Sequence, residues 1–350
     1  MSRIKIPGLI DIHVHLREPG ATQKEDFYTG SRAAVAGGFT FIIDMPNNPL
    51  PTITQERLEE KISLSKQKAI CDVGFHFGTN GKNIDEFKYA IESPNVFGLK
   101  IYCNHTTGEM LIEDENLLEN VFSAWNSEKP ILVHAEDEQL KKVLAFSKKY
   151  NRQLHVCHIS QESEVEMIRQ AKKEGQKVTA GVTPHHLYLT NKDVKRLKGF
   201  AMMKPPLGTK DDQEALWKGL NDGTIDIIET DHAPHTKEEK IVDENGKTAF
   251  GVPGLETALG LMYKATVDRR ITNDDVIKFL YTNPKKIFSI KEQEDTYVEL
   301  DPSVPFIVGE NGYESKCGWS PFEGITLYGK PQKVVLRGEI ILENGVIIKS

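Results

Sequence analysis

A chain of 350 residues, 39% hydrophobic and 27% charged, is long enough for one large globular core and too apolar for a disordered or fibrous chain. A net charge of −7 without any long basic run argues against a general nucleic-acid binder. No stretch approaches the roughly 18 apolar residues of a membrane helix, and no apolar core precedes a cleavage-like site near Met1, so a cytoplasmic protein without a leader is expected.

Along the chain, short apolar runs recur at residues 9–16, 39–45, 70–77, 96–102, 131–134, 154–159, 178–182 and 225–230, each ending in polar residues. Continuous Val/Ile/Leu-rich strands of this kind suit a parallel sheet covered on both faces. Helical patterns lie between them. Thr22 with Glu25, and Thr52 with Gln55, have capping-box spacing ahead of two helices, the first over 26–36. Leu117, Leu118, Val121, Phe122 and Trp125 form an apolar stripe, as do Leu140, Val143 and Leu144. Eight such βα units predict a (β/α)8 TIM barrel over about residues 8–290. A doubly wound sheet is the rival, but no glycine-rich phosphate loop follows the first strand. Two amphipathic segments follow at 254–268 and 274–288, and 334–348 reads as a hairpin turning at Asn344-Gly345. The whole chain, 1–350, is expected to form a single domain, with about 291–350 a small C-terminal β appendage packed with the N-terminus. Cys71, Cys103, Cys157 and Cys317 lie far apart without CxxC spacing, as for reduced thiols.

Barrel enzymes place their chemistry at the C-terminal ends of strands. There the first strand offers His13 and His15, which point the same way because strand side chains alternate with period two. The others offer Lys100, His134, His158 and Asp231. Imidazoles and a carboxylate are suitable zinc ligands. One HxH pair is weak, and single histidines are more often structural; the strength lies in all of them falling at strand ends of one barrel. Lys100, inside the apolar run GLKIY, reads in two ways. Either it pairs with an acid or snorkels to the rim, or burial and nearby metal favour a neutral amine that takes up carbon dioxide as a carbamate.

With these residues placed, the motifs DIHVHLREPG at 11–20, MPNN at 45–48, GLKIY at 98–102, VHAE at 133–136, HVCH at 155–158, TPHHL at 183–187, DHAPHT at 231–236, GVPGLET at 251–257 and WSPFEG at 319–324 resemble, in order and over almost the whole chain, the dihydroorotases of the amidohydrolase superfamily. The class that includes the dihydroorotase domain of the animal multifunctional pyrimidine enzyme is the most similar. The resemblance implies two zinc ions: His13, His15 and Asp231 for the first, His134 and His158 for the second, with carboxylated Lys100 and a hydroxide bridging both. It implies that Arg17, Asn47 and His235, with Pro253 and Gly254, bind the substrate, and that Thr106 and Thr107 belong to a lid. The implied reaction is reversible hydrolysis of dihydroorotate to N-carbamoyl-L-aspartate, the third step of pyrimidine biosynthesis. The hydroxide attacks the ring carbonyl, and Asp231 acts as general acid and base. A homodimer, and association with aspartate carbamoyltransferase, are further expectations.

Three positions depart from the family pattern. Gly181 stands where many relatives carry a glutamate, which puts in doubt any extra metal site using that carboxylate with Cys157. Glu229 occupies a position usually small, and is read either as a salt-bridge partner or as a perturbation of the metal centre. Lys204 replaces an expected asparagine or arginine and still offers a charge to substrate. His76, His155, His185, His186 and His232 are read as structural. A dihydropyrimidinase or allantoinase would share the metal ligands but need no cation for a substrate carboxylate, so Arg17 with Asn47 discriminates. The same residues disfavour a phosphotriesterase-like enzyme, and a scaffold that has lost catalysis would lack ligands present here.

Overall fold

Strand β1 (Ile4–Pro7) precedes eight parallel strands: β2 (Leu9–Val14), β3 (Phe39–Asp44), β4 (Asp72–Gly78), β5 (Val96–Tyr102), β6 (Ile131–His134), β7 (Leu154–Val156), β8 (Val178–Val182) and β9 (Ile227–Ile228). The structure, a computed structural model, describes residues 3–105 and 110–349, so Thr106 and Thr107 of the expected lid lie outside the described residues. The eight strands pair in sequence order, and a bridge between Val14 and His232 brings the last back to the first, with His15 N donating to His232 O at 2.8 Å. This is the expected TIM barrel. Every residue of β2, β6 and β7 is buried. Inward side chains fill the barrel while outward ones lie beneath helices, and so these runs carry no polar alternation.

The helical stripes bury as their spacing demands. In Glu115–Ala124, Leu118, Val121 and Phe122 turn inward, and Trp125 at the C-cap stands edge-on to Phe87 with ring centroids 5.3 Å apart. Each such side chain contributes roughly 1.5–3 kcal/mol through burial. The capping residues differ from expectation. Helix Phe27–Ala36 is capped by Asp26, which accepts from Thr29 N at 2.8 Å, and Gln55–Lys68 by Thr54. Glu25 is buried and takes Ser315 Oγ and Lys316 N instead, while Thr52 donates its own N–H to Pro46 O at 2.9 Å. The polar pattern placed the N-caps four and two residues early because tertiary partners claimed Glu25 and Thr52.

Helix Leu255–Val267 follows the barrel, and Asn273–Ile277 continues through a π turn at Lys278–Thr282 into Asn283–Ile287. The widened turn falls just ahead of Pro284, which has no N–H to give the helix ladder. The tail holds more strands than one hairpin: β10 (Tyr297–Leu300), β11 (Pro305–Ile307), β12 (Thr326–Tyr328), β13 (Pro331–Leu336), β14 (Glu339–Glu343) and β15 (Val346–Ile347). An antiparallel sheet runs β1-β10-β13-β14-β15, so the N-terminal strand shares it, and β11 pairs with β12 separately. Asn344-Gly345 turns as expected, and Arg337-Gly338 makes a second two-residue turn, all four residues having φ between 50° and 79°. Both match the left-handed turn that suits a twisted hairpin, but arginine is not a turn signal in sequence.

Candidate active site

The sequence-predicted residues converge where the strands end. His13 lies within β2 and His15 one residue past it; both put Nε2 against Asp231 Oδ1, at 3.4 and 3.0 Å. The other ring nitrogens are held by oxygens: His13 Nδ1 is 3.2 Å from Glu229 Oε2, and His15 Nδ1 is 2.8 Å from Asn47 Oδ1. Parallel register sets Tyr102 beside His134, whose Nδ1 lies 3.2 Å from His158 Nε2. Lys100, two residues earlier on β5, is buried with Cys157 Sγ at 3.2 Å, and among the described residues it forms no ion pair. Arg17, His158 and Asp231 all have positive φ (64°, 37° and 45°). For such side chains this region is disfavoured, and it is found where neighbours dictate side-chain direction, often at functional sites.

Electrostatics match the residue types. Burial first, then neighbouring positive charge, pushes His13 and His158 well below the ordinary imidazole range. Burial likewise lowers His15 and His134. All four rings are therefore neutral, the form that binds a metal ion. Burial alone would raise Asp231, but the His15 hydrogen bond and the positive potential around it, Lys100 included, outweigh burial and hold the carboxyl below its usual range. The ligand atoms of His13, His15 and Asp231 lie within 4.8 Å of one another, as do those of His13, Cys157 and Glu229. Buried His158 Nδ1 has no hydrogen-bond partner among the described residues, an arrangement native cores avoid unless a further ligand is held there, whereas His134 Nε2 lies 3.4 Å from Glu136 Oε1. Neutral imidazoles, an ionised carboxylate and an unsatisfied ring nitrogen fit a metal centre.

One pocket is lined by His13, His15, His134, His158 and Asp231 together with Arg17, Asn47, Lys204 and Tyr102. Arg17 is 7% exposed, donates Nε to Pro234 O at 3.0 Å, and forms no ion pair among the described residues. Its Nη2 sits 3.2 Å from His235 Nε2, but that nitrogen is also 2.9 Å from Phe250 O, so it carries a proton and offers the guanidinium no acceptor. His235 is neutral, pushed down to about 2 by burial and by Arg17 and Lys24, and its Nδ1 lies 3.2 Å from Lys24 Nζ and 3.3 Å from Glu239 Oε2. Trp319 of the WSPFEG motif donates Nε1 to His235 O at 2.8 Å and fixes that loop. Pro253 and Gly254 are buried beside His232, with Gly254 N 3.2 Å from His232 Nδ1; neither is among the residues lining the pocket.

Sequence reasoning passed over Tyr102, Phe250 and Gly251 in the lining. Tyr102 was findable, since it shares a strand face with Lys100. Gly251 has φ +132°, and a Cβ there would lie 2.6 Å from Ala233 O, so only glycine passes. The four expected free thiols are all buried and unpaired.

Residues 4–293 match the Amidohydrolase family. The chain is 42% identical over 348 residues to Multifunctional protein pyr1-3 of Dictyostelium discoideum, covering 99% of this chain and 15% of that one. It thus spans about a seventh of that relative's length. A Dihydroorotase of Lactobacillus acidophilus is 33% identical over 381 residues, covering 98% of this chain and 89% of that one. Among solved structures, L-Hydantoinase (Dihydropyrimidinase) from Arthrobacter aurescens superposes with a TM-score of 0.92 at 26% identity, covering 99% of this chain and 87% of that one. The inactive dihydroorotase-like domain of a Chaetomium thermophilum CAD-like multifunctional protein does so with a TM-score of 0.84 at 27% identity, covering 100% and 98%.

Proposed function

The chain belongs to the amidohydrolase family, within its dihydroorotase branch, and from that premise we propose that it interconverts L-dihydroorotate and N-carbamoyl-L-aspartate. One observation carries the substrate assignment. A buried guanidinium with no carboxylate partner among the described residues lines the same pocket as the histidine–aspartate cluster. A ring substrate without a carboxylate would leave that cation uncompensated, which disfavours dihydropyrimidinase-type substrates.

In this reading His13, His15 and Asp231 would hold one zinc ion, and His134 and His158, with a carboxylated Lys100, would hold a second. Zinc bound there would supply a water whose pKa falls toward about 7 and a Lewis acid for the ring carbonyl. The chain's own residues do the rest. Arg17 presents two parallel N–H donors to the substrate carboxylate, with Asn47 lining the same pocket, His235 packed behind Arg17, and Pro253 and Gly254 buried further back beside His232. Asp231, ionised before the reaction, accepts the proton released as water adds to the carbonyl carbon. When the carbon–nitrogen bond breaks, Asp231 returns that proton to the departing ring nitrogen, and the reverse sequence closes the ring. Lys100 suits carboxylation because its buried Nζ, 3.2 Å from Cys157 Sγ, has no acid to pair with among the described residues. Thr106 and Thr107 complete the proposal as a lid, together with a cytoplasmic homodimer that associates with aspartate carbamoyltransferase. Among the described residues no helix is long and apolar enough to cross a membrane.

The test is turnover of both compounds by purified protein, with metal quantified on the same sample. Turnover with about two zinc ions per chain, abolished in Asp231→Asn, is the expected result. A folded, metal-loaded protein inert toward both compounds would overturn the assignment, as would faster opening of dihydrouracil than of dihydroorotate.

A further inference from the structure

Glu229 follows β9, is fully buried, and anchors its own N–H on Val182 O at 3.1 Å. Its carboxylate reaches two different histidines: Oε2 lies 3.2 Å from His13 Nδ1, and Oε1 accepts the backbone N–H of His158. The same Oε2 is 3.6 Å from His155 Nε2. This reach depends on the neighbouring strand. A Cβ on Gly181 would lie 2.4 Å from Oε1, 2.6 Å from Cδ and 3.0 Å from Cγ of Glu229. Contacts that short involve the stem of the side chain as well as its tip, so any larger residue at 181 displaces the carboxylate.

We propose that Glu229 is a positioning residue that braces both halves of the metal centre, in space that Gly181 leaves for it; the inference rests on the metal-centre reading above. Its oxygen fixes the His13 proton on Nδ1, which leaves the Nε2 lone pair facing Asp231, 3.4 Å away. An oxygen hydrogen-bonded to the far nitrogen also fixes the orientation in which an imidazole faces a metal. The second oxygen holds the backbone of His158 in its left-handed conformation, φ 37°, from which that side chain reaches His134. One side chain thereby orients a ligand from each histidine pair. His15 is held in the same manner by Asn47 Oδ1, so both histidines of the HxH pair have an oxygen behind them.

The experiment compares zinc uptake by the wild-type chain, Glu229→Gln and Gly181→Ala. Metal-free proteins are titrated with zinc against a chelator of known affinity, stoichiometry is measured on the loaded proteins, and circular dichroism follows folding. Gln keeps the shape of Glu229 but cannot accept at both ends, so His13 Nδ1–H or His158 N–H loses its acceptor. Expected are folded variants that bind zinc about 10–100-fold more weakly than wild type. Should Glu229→Gln fail to fold, Gly181→Ala decides the matter, since it moves the carboxylate without removing it. Unchanged zinc affinity in the folded variants overturns the inference alone. A third ion per chain, lost equally in Glu229→Gln and Cys157→Ser, also overturns it by making Glu229 a ligand. A wild-type chain that takes up no zinc removes the metal-centre reading and this inference with it.

Discussion

Replacing Arg17 by Met removes the guanidinium, keeps side-chain bulk, and leaves an L-residue at the same positive φ of 64°. Charge-assisted hydrogen bonds contribute about 1.5–3 kcal/mol each. A two-pronged grip on a carboxylate therefore supplies about 3–6 kcal/mol, or roughly 10²–10⁴ in kcat/KM. The structure favours the low end. Arg17 already spends Nε on Pro234 O at 3.0 Å, and Lys24 remains nearby through His235 Nδ1 at 3.2 Å. Lys24 is partly neutralised by Glu239 at 3.0 Å, so it compensates only in part. A loss of about 3 kcal/mol, near 150-fold, is expected for dihydroorotate. Dihydrouracil, the same ring without a carboxylate, should change by no more than about threefold, since Arg17 has nothing to grip on it. The assay is steady-state ring opening of both compounds by both proteins, a double-mutant cycle in which one mutation lies in the substrate. Equal losses on the two substrates would show that Arg17 shapes the site without reading the carboxylate, and would refute the reasoning.

Two predictions concern stability. Burial pushes the Glu164 carboxyl up to about 7 despite hydrogen bonds from Ser160 and Gln161 N–H, so its contribution is complete below about pH 4.5 and is lost as pH rises through 7. With about 1.4 kcal/mol per pH unit, the wild-type advantage over Glu164→Gln should shrink by about 2–3 kcal/mol between pH 4.5 and 8 in urea titrations of the metal-free proteins; a constant difference would contradict this. Lys61 is fully buried, with Nζ 2.7 Å from Asp44 Oδ2, Met45 O and Asn48 Oδ1, beside the loop that carries Asn47. Lys61→Met strands the Asp44 carboxylate and should cost about 3–5 kcal/mol. Adding Asp44→Asn should restore much of that stability in the same measurement, and a double variant no better than the single one would show that packing, not charge, dominates.

The barrel and its histidines were legible because both are written in local patterns: apolar runs of strand length, and ligand-type residues at their ends. Local pattern fails where the partner is remote in sequence. Lys61 lies in the helix sequence QERLEEKISLSKQK, where it reads as one more solvated charge, and only the fold brings it to Asp44. Gly181 and Glu229 each looked like an isolated departure from a family pattern, yet they are one feature, since the carboxylate of the second fills the space above the first. The helix starts were misread for the same reason: Glu25 has capping spacing, but Ser315, 290 residues away, holds it. The lining of the pocket by Phe250 was likewise hidden, because the loop that carries it is placed by Lys240, which donates to Met202 O, Ala249 O and Gly251 O.

These supports divide the site into two mechanically distinct parts. The histidines, Lys100 and Asp231 stand on or just beyond barrel strands, whose positions are fixed by parallel register and a continuous core. Arg17 and His235 are instead held by loops: Pro234 O and Phe250 O face them, Trp319 Nε1 fixes the His235 carbonyl, and Lys240 gathers three carbonyls around the same turn. On the proposed function, ring-opening chemistry would depend on the scaffold, and recognition of the substrate carboxylate on loops tied to it by few, nameable contacts. That separation explains how one barrel can serve related hydrolases with different substrates, because loop residues can change while the strand ends keep their geometry. Glu229 lies on the scaffold side of this division, at the end of β9 beside the loops. It couples strand ends that sequence order keeps apart, and holds His13 and His158 to each other whatever the loops above them recognise.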